Sequence, residues 1–269
     1  MTKSNSTKLR RSTAPKRTER ALTDGPMTAT PADPPQVSGA APIYLPPPTM
    51  DASGLFELFE PYPTAVDIAE LLEEISALIR RHVITSKEEA DAMALWIVST
   101  HVHDVCEFSP ILAILSPEMR CGKTTLLKVI AALVPRAISS ANISPASVFR
   151  IADKYCPTLL IDEADTFLDS HDDLRGILNC GHTRTSACVI RCHHDNRDPV
   201  TFNTWCPKVI AMIGELPPTL LDRSIPVRLK RKLPTEQIES FGSRSKEEAH
   251  VLRSKVARWA RDNMEKLRD

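Results

Sequence analysis

The chain has no excess charge of either sign, no long apolar run, no apolar stretch near its start and no regular cysteine spacing. Each lack removes a class of function. The 34 Lys and Arg residues balance 34 Asp and Glu, so no global field draws the chain to a polyanion, and any such site must be local. No run is long and apolar enough to span a bilayer. No apolar signal core precedes the first charges, so a cytoplasmic protein without a membrane partner is expected. The seven cysteines are odd in number and irregular in spacing, which favours reduced thiols over a disulfide framework. Cys180, His182, Cys188, Cys192, His193, His194 and Cys206 crowd one stretch without the paired hooks of a zinc site, so these cysteines are read as core or edge residues. With 269 residues, 42% of them hydrophobic, there is room for one sizeable domain plus tails.

The richest stretch is Ser116-Pro-Glu-Met-Arg-Cys-Gly-Lys-Thr-Thr125. It follows an apolar run, Ile111 to Leu115, and opens a helical pattern, Leu126 to Leu133. Strand, turn, Gly-Lys-Thr and helix together are the context of a phosphate-binding loop. Backbone N–H groups at a helix start face an anion, and the helix dipole favours negative charge there. Pro117, Glu118, Met119, Arg120, Cys121, Gly122, Lys123, Thr124 and Thr125 are therefore the candidate nucleotide-binding residues. Lys123 is assigned to the phosphates and Thr124 to Mg²⁺. The loop pattern asks for glycine where Pro117 stands, and proline cannot take positive φ, so the turn must be made elsewhere. Cys121, inside the loop, is read as a chemical liability rather than a regulatory device.

Thr158 to Ile161 reads as a buried strand, and it ends in two adjacent carboxylates, Asp162 and Glu163. Neighbouring residues on a strand tip face different sides, so two roles fit: Asp162 on Mg²⁺, and Glu163 orienting and deprotonating an attacking water. The interval parses as strand Ala137 to Ala141, N-cap Ser144, Pro145 and a helix to Tyr155. Downstream, Cys188 to Cys192, Lys208 to Ile213 and Ile225 to Leu229 read as strands, and Pro226 suggests an edge for the last. Strands alternating with helices give an α/β fold with a mostly parallel sheet.

Residues 1–63 are assigned to a tail, basic and then proline-rich, and read as solvated rather than as a nucleic-acid arm. Residues 64–106 form an N-terminal helical cap. In it Ile68, Leu71, Leu72, Ile75, Leu78 and Ile79 fall at helical spacing, and Ser86 caps a second helix. His101 and His103 are two apart, share no helix face and are read as structural. Residues 107–233 hold the nucleotide core, and 234–269 a C-terminal helical partial lid beginning at Pro234. Arg223 is a candidate for steadying transition-state charge from a neighbouring subunit, which would make the functional form a homo-oligomer. Arg228, Lys230, Arg231 and Lys232 form one basic patch. Arg184, Arg191, His193 and His194 form a second. Both are read as solvated faces in preference to strand-tracking surfaces.

The runs Ser116 to Thr125, Asn142-Ile-Ser-Pro-Ala146, Leu159 to Phe167, Leu174 to His182 and Leu221-Asp-Arg-Ser224 together resemble the bacterial family called domain of unknown function 3631. The resemblance spans about residues 64–235, and Pro117 belongs to its pattern. Members sit in plasmid, phage and integrated-element proteins, some with primase modules. They are similar to the additional-strand, catalytic-glutamate P-loop ATPases near AAA+ and superfamily 3 helicases. The resemblance implies a P-loop NTPase sheet in which the strand ending at Met212 and Ile213 inserts between the loop strand and the Asp162 strand. It also implies ATP and Mg²⁺ as cofactors and DNA as a partner in mobile-element replication, with a primase or replication partner. Relatives carry a polar sensor at the tip of the inserted strand, whereas this chain has Gly214 and Glu215. The Asp-Glu-Ala-Asp run is not a DEAD-box helicase signature here, because too few residues follow for a second motor domain.

The expected function is an ATP-hydrolysing motor, helicase-like and acting on nucleic acid. The alternative is an ATP-driven switch or loader that remodels protein partners without moving along DNA. A small-molecule kinase does not explain Glu163 beside Asp162. A scaffold without turnover would be indifferent to Glu163→Gln.

Overall fold

The computed structural model describes residues 49–166, 168, 172–192 and 198–268. The expected tail up to residue 48, His193 and His194 lie outside them. Two short strands, β1 (Thr49–Met50) and β2 (Glu57–Leu58), come first. Helices α1 (Ile68–His82) and α2 (Lys87–His101) follow, then β3 (Ile111–Ser116) and α3 (Lys123–Leu133). Next are β4 (Ala137–Ser140), α4 (Pro145–Tyr155), β5 (Thr158–Ile161) and α5 (Asp172–Cys180). A hairpin of β6 (Cys188–Cys192) and β7 (Pro199–Asn203) precedes β8 (Lys208–Ile213). The chain closes with α6 (Pro218–Leu221), β9 (Ser224–Arg228) and α7 (Ser243–Asn263).

Five of these strands form one parallel sheet in the order β4-β5-β8-β3-β9. The insertion of β8 between β3 and β5 is the placement that the family resemblance implied, and Pro226 sits on the edge strand β9. An edge tolerates proline because one side of its backbone needs no ladder partner.

Side-chain alternation along the strands divides the core into two layers. Leu112, Ile114, Leu160, Val209 and Ala211 face α1, α2, α3 and α7. Ile111, Ala113, Leu115, Leu159, Ile161, Ile210 and Met212 face α4, α5 and the short α6. Both faces of a parallel sheet are thus covered, which explains the unbroken apolar runs of β3, β5 and β8.

Local caps set the helix starts. Asp67 accepts from the backbone N–H groups of Ala69 and Glu70. Ser86 and Glu89 close a capping box, and Ser144 caps α4 with Pro145 in its first turn.

Three boundaries differ from the sequence expectation. Residues 49–63 are not tail: Phe56 is buried and packs edge-on against Tyr155, and Arg253 of α7 pairs with Glu57 and lies over the Phe59 ring. The cap helices and α7 share one apolar cluster with the sheet, so α7 is a covering helix of the core layer rather than a lid. The helix expected from Pro234 begins only at Ser243. Residues 229–242 instead run as a strap held by distant partners. The Glu239 N–H donates to the Arg81 carbonyl, His82 Nδ1 donates to the Glu239 carbonyl, and Phe241 packs edge-on against His82. No helix among the described residues is long and apolar enough to cross a membrane.

Candidate functional site

The sequence turns sharply where β3 hands over to α3, and that turn builds the site. Gly122 caps α3 with φ +90, a left-handed conformation that glycine adopts without a Cβ clash. Arg120 takes the other positive φ, +65, so the turn that Pro117 cannot make is made three residues later. Val83 packs on Gly122, and a Cβ added there would stand 3.5 Å from Val83 Cγ1. The open N-terminus of α3 is thereby presented at the carboxyl end of β3.

Lys123 is half-buried, and its Nζ donates to Ser116 Oγ at 2.7 Å, which in turn donates to the Glu118 carbonyl at 2.8 Å. Thr124 Oγ1 donates to Asp162 Oδ2 at 3.1 Å, joining the loop to the end of β5. Asp162 Oδ1 accepts from the Glu163 backbone N–H at 2.9 Å. Glu163 itself has φ +54 and an exposed side chain. A non-glycine residue held in this region costs on the order of 1–3 kcal/mol and turns the carboxylate out of line with Asp162. β5 ends at Ile161, so backbone conformation, and not strand alternation, sets these adjacent acids apart.

One cavity of about 670 Å³ opens at this end of the sheet. Loop residues Met119 to Thr125 line it, with Asp162, Glu163, Asp165 and Ile213 opposite. Its remaining wall comes from His82, Val83 and Ile84 after α1, and from Lys230, Lys232 and Ile238 on the strap. Sequence reasoning missed both of these contributions. Val83, Ile84 and Ile238 carry no chemistry-bearing group, and the strap was expected to be partly helix and partly solvated face.

Other expected residues fall elsewhere. Pro117 and Glu118 are exposed and are not part of the cavity wall; Glu118 pairs with Arg231 at 3.4 Å. Arg223 precedes β9, whose first residue pairs with Ile111 at the amino end of β3. It therefore lies about 17 Å along the strand direction from the loop in its own chain, and it donates to the Thr219 carbonyl at 2.7 Å. Gly214, with φ +88, turns the chain after β8, and Glu215 pairs with Arg228 at 3.0 Å without lining the cavity. Asp165 accepts instead from the Ile213 N–H at 3.0 Å, tying the acidic loop to the tip of β8. Cys121 is buried, and its thiol faces the Met119 carbonyl.

The basic patches also resolve. Arg228 and Arg231 are paired with carboxylates, whereas Lys230 and Lys232 reach the cavity. Arg191 pairs with Asp173, and Arg184 lies over the Trp205 ring. Among the described residues no group of three metal-ligating side chains comes together. His101 and His103 are instead hydrogen-bonded to the Leu133 carbonyl and Ser109 Oγ.

The oxygen set of Thr124 and Asp162 fits a small hard cation. Adjacent oxygens of an octahedral Mg²⁺ with bonds of about 2.1 Å stand about 3 Å apart, the spacing these two already have. No family model matches the chain, and no curated protein matches it.

Proposed function

We propose that this chain is an ATP-hydrolysing enzyme of the P-loop class, binding ATP with Mg²⁺ in the cavity above β3 and β5. The observation that carries this reading is the convergence of Lys123, Thr124, Asp162 and Glu163 on one cavity at the N-terminus of α3. Its volume suits a nucleotide-sized ligand. The side chains of Val83, Ile84 and Ile238 offer apolar contact to a base, and the α3 N-terminus offers N–H groups to phosphate.

In this reading Lys123 leaves Ser116 Oγ and moves onto the phosphates. Thr124 and Asp162 would hold Mg²⁺, which when bound neutralises charge on the phosphate oxygens. Glu163, whose carboxylate is open to solvent, orients a water and takes its proton as the water attacks the terminal phosphate and the bond to the β-phosphate oxygen breaks, releasing ADP and phosphate. Arg223 is too far to act in its own site. Its place at the opposite end of the sheet suits action in a neighbour's site, so the active form is a ring or other homo-oligomer. The bacterial mobile-element family named above, and with it a helicase-like role on DNA beside a primase, is proposed from the sequence runs alone.

ATP hydrolysis by the purified chain, with and without single-stranded DNA, tests the proposal. Hydrolysis that rises with DNA and is lost in Lys123→Ala and Glu163→Gln is the expected result. Hydrolysis indifferent to DNA would replace the motor with the switch or loader. Hydrolysis unaffected by either substitution would sink the site assignment.

A further inference from the structure

Four basic residues follow one another closely at the end of β9, and the fold gives them different partners. Arg228 is paired with Glu215 at 3.0 Å and Arg231 with Glu118 at 3.4 Å. Leu229 between them is buried, and its N–H donates to the Leu115 carbonyl at 2.8 Å. The strap is thus pinned to the tip of β8, to the phosphate loop and to β3. Lys230 and Lys232 lie in the cavity wall with Lys123 and Thr124. Lys232 Nζ donates to the Glu236 carbonyl at 2.8 Å, and Lys230 stands near Glu89.

Charge shows why these two lysines matter. Without them the cavity wall sets Arg120 and Lys123 against Asp162, Glu163 and Asp165, an acidic balance that repels a polyphosphate. With them the balance becomes cationic. The basic residues of α7 do not contribute. Arg253 pairs with Glu57 and Arg258 with Asp262, and no residue of α7 lines the cavity.

We propose that Lys230 and Lys232 grip the phosphate tail from the strap and favour a triphosphate over a diphosphate. This rests on the nucleotide reading of the cavity. Each lysine supplies a charge-assisted hydrogen bond to a phosphate oxygen, and the longer tail, with more negative charge, gains more from both. The pinning contacts of Arg228 and Arg231 set the position of the strap before the ligand arrives, so little order is lost on binding.

The test is equilibrium binding of a fluorescent β,γ-imido ATP analogue and of fluorescent ADP to the full chain with Mg²⁺. Lys230→Ala and Lys232→Ala are each expected to weaken the triphosphate analogue about 10-fold, and ADP by less. Lys→Arg at both positions is expected to restore most of the loss. Lys266→Ala, which removes an equal charge from the short 3-10 turn after α7, is the control. A double alanine variant within twofold of the parent for the triphosphate analogue, or losing ADP equally, overturns the proposal. Lys123→Ala separates the two levels. If it weakens binding while the strap variants do not, the strap assignment falls and the nucleotide reading stands. If only the strap variants weaken binding, the strap holds phosphate and the loop assignment falls. No binding by the parent chain sinks both.

Discussion

The two ends of the central sheet use the same residue types for opposite ends. At the amino end, Lys208 is 2% exposed, and its Nζ donates to the carbonyls of Cys206, Thr204 and Gly181 at 2.7, 3.1 and 3.4 Å. At the carboxyl end, Lys123 is half-buried and has a single hydroxyl partner at a helix start that no side chain caps. Both lysines stand at a strand or helix terminus. One is sealed by carbonyls and serves only the fold, while the other holds its charge next to an open cavity. Two histidines are sealed near the amino end as well. Burial, with Lys208 and Arg184 adding to it, holds the His103 imidazole down to about 3, and burial holds His101 down to about 4. A parallel sheet splays its connections apart at the carboxyl ends of the strands and leaves a crevice there. At the amino end of this one the crossing loops meet and close.

The largest expected contrast is between substitutions at the two ends. Glu163→Gln should cut hydrolysis by about 100-fold or more without lowering the unfolding midpoint. Gly181→Ala should do the reverse. Its added Cβ would stand 2.3 Å from Lys208 Nζ and 2.6 Å from the Thr204 carbonyl, so the backbone must shift. A loss of about 2–4 kcal/mol in urea unfolding is expected, with nucleotide binding of the folded protein kept. Loss of binding without loss of stability would break the division between the two ends.

A second difference should appear in pH dependence. The histidines of the unfolded chain titrate near 6.5, whereas folded His101 and His103 stay neutral down to about 4 and 3. Between those values the unfolded chain binds more protons. Stability is therefore full above pH 6.5 and falls as the pH drops, by up to about 1.4 kcal/mol per pH unit for each histidine. Urea midpoints from pH 7.5 to 5 should show this slope, and His103→Asn should flatten it. A midpoint that rises on acidification would contradict the sealed amino end.

The smallest effect belongs to the exposed pair that holds the start of the strap. Glu215→Gln releases Arg228 from a contact whose two side chains are 60% and 52% exposed. It should change stability by less than about 1 kcal/mol, measured by the same unfolding. A larger loss would mean that the pinning of the strap matters to the fold and not only to the site.

Elements with strong local signals were legible in the chain. Strand β3, the caps at Ser86 and Ser144, the turn at Gly122 and the edge proline of β9 all follow from residues within a few positions. The acids at the end of β5 were legible for the same reason. The strap was not, because its charged, proline-containing sequence suits a helix start or a solvated loop equally well. Its path is decided by Arg81, His82 and Leu115, more than a hundred residues earlier in the chain. Ordering of residues 49–63 was hidden likewise, since it depends on Tyr155 and Arg253.

By itself, then, the sequence determined the alternation of strands and helices and the identity of the loop and acid residues. Hydrophobic periodicity, capping and backbone preference act over a few residues and need no partner. Only the tertiary structure decided which basic residues face the cavity, where Arg223 lies and which lysine is sealed. Those outcomes depend on contacts between segments far apart in sequence, and a side chain's role follows from its neighbours, whatever its type.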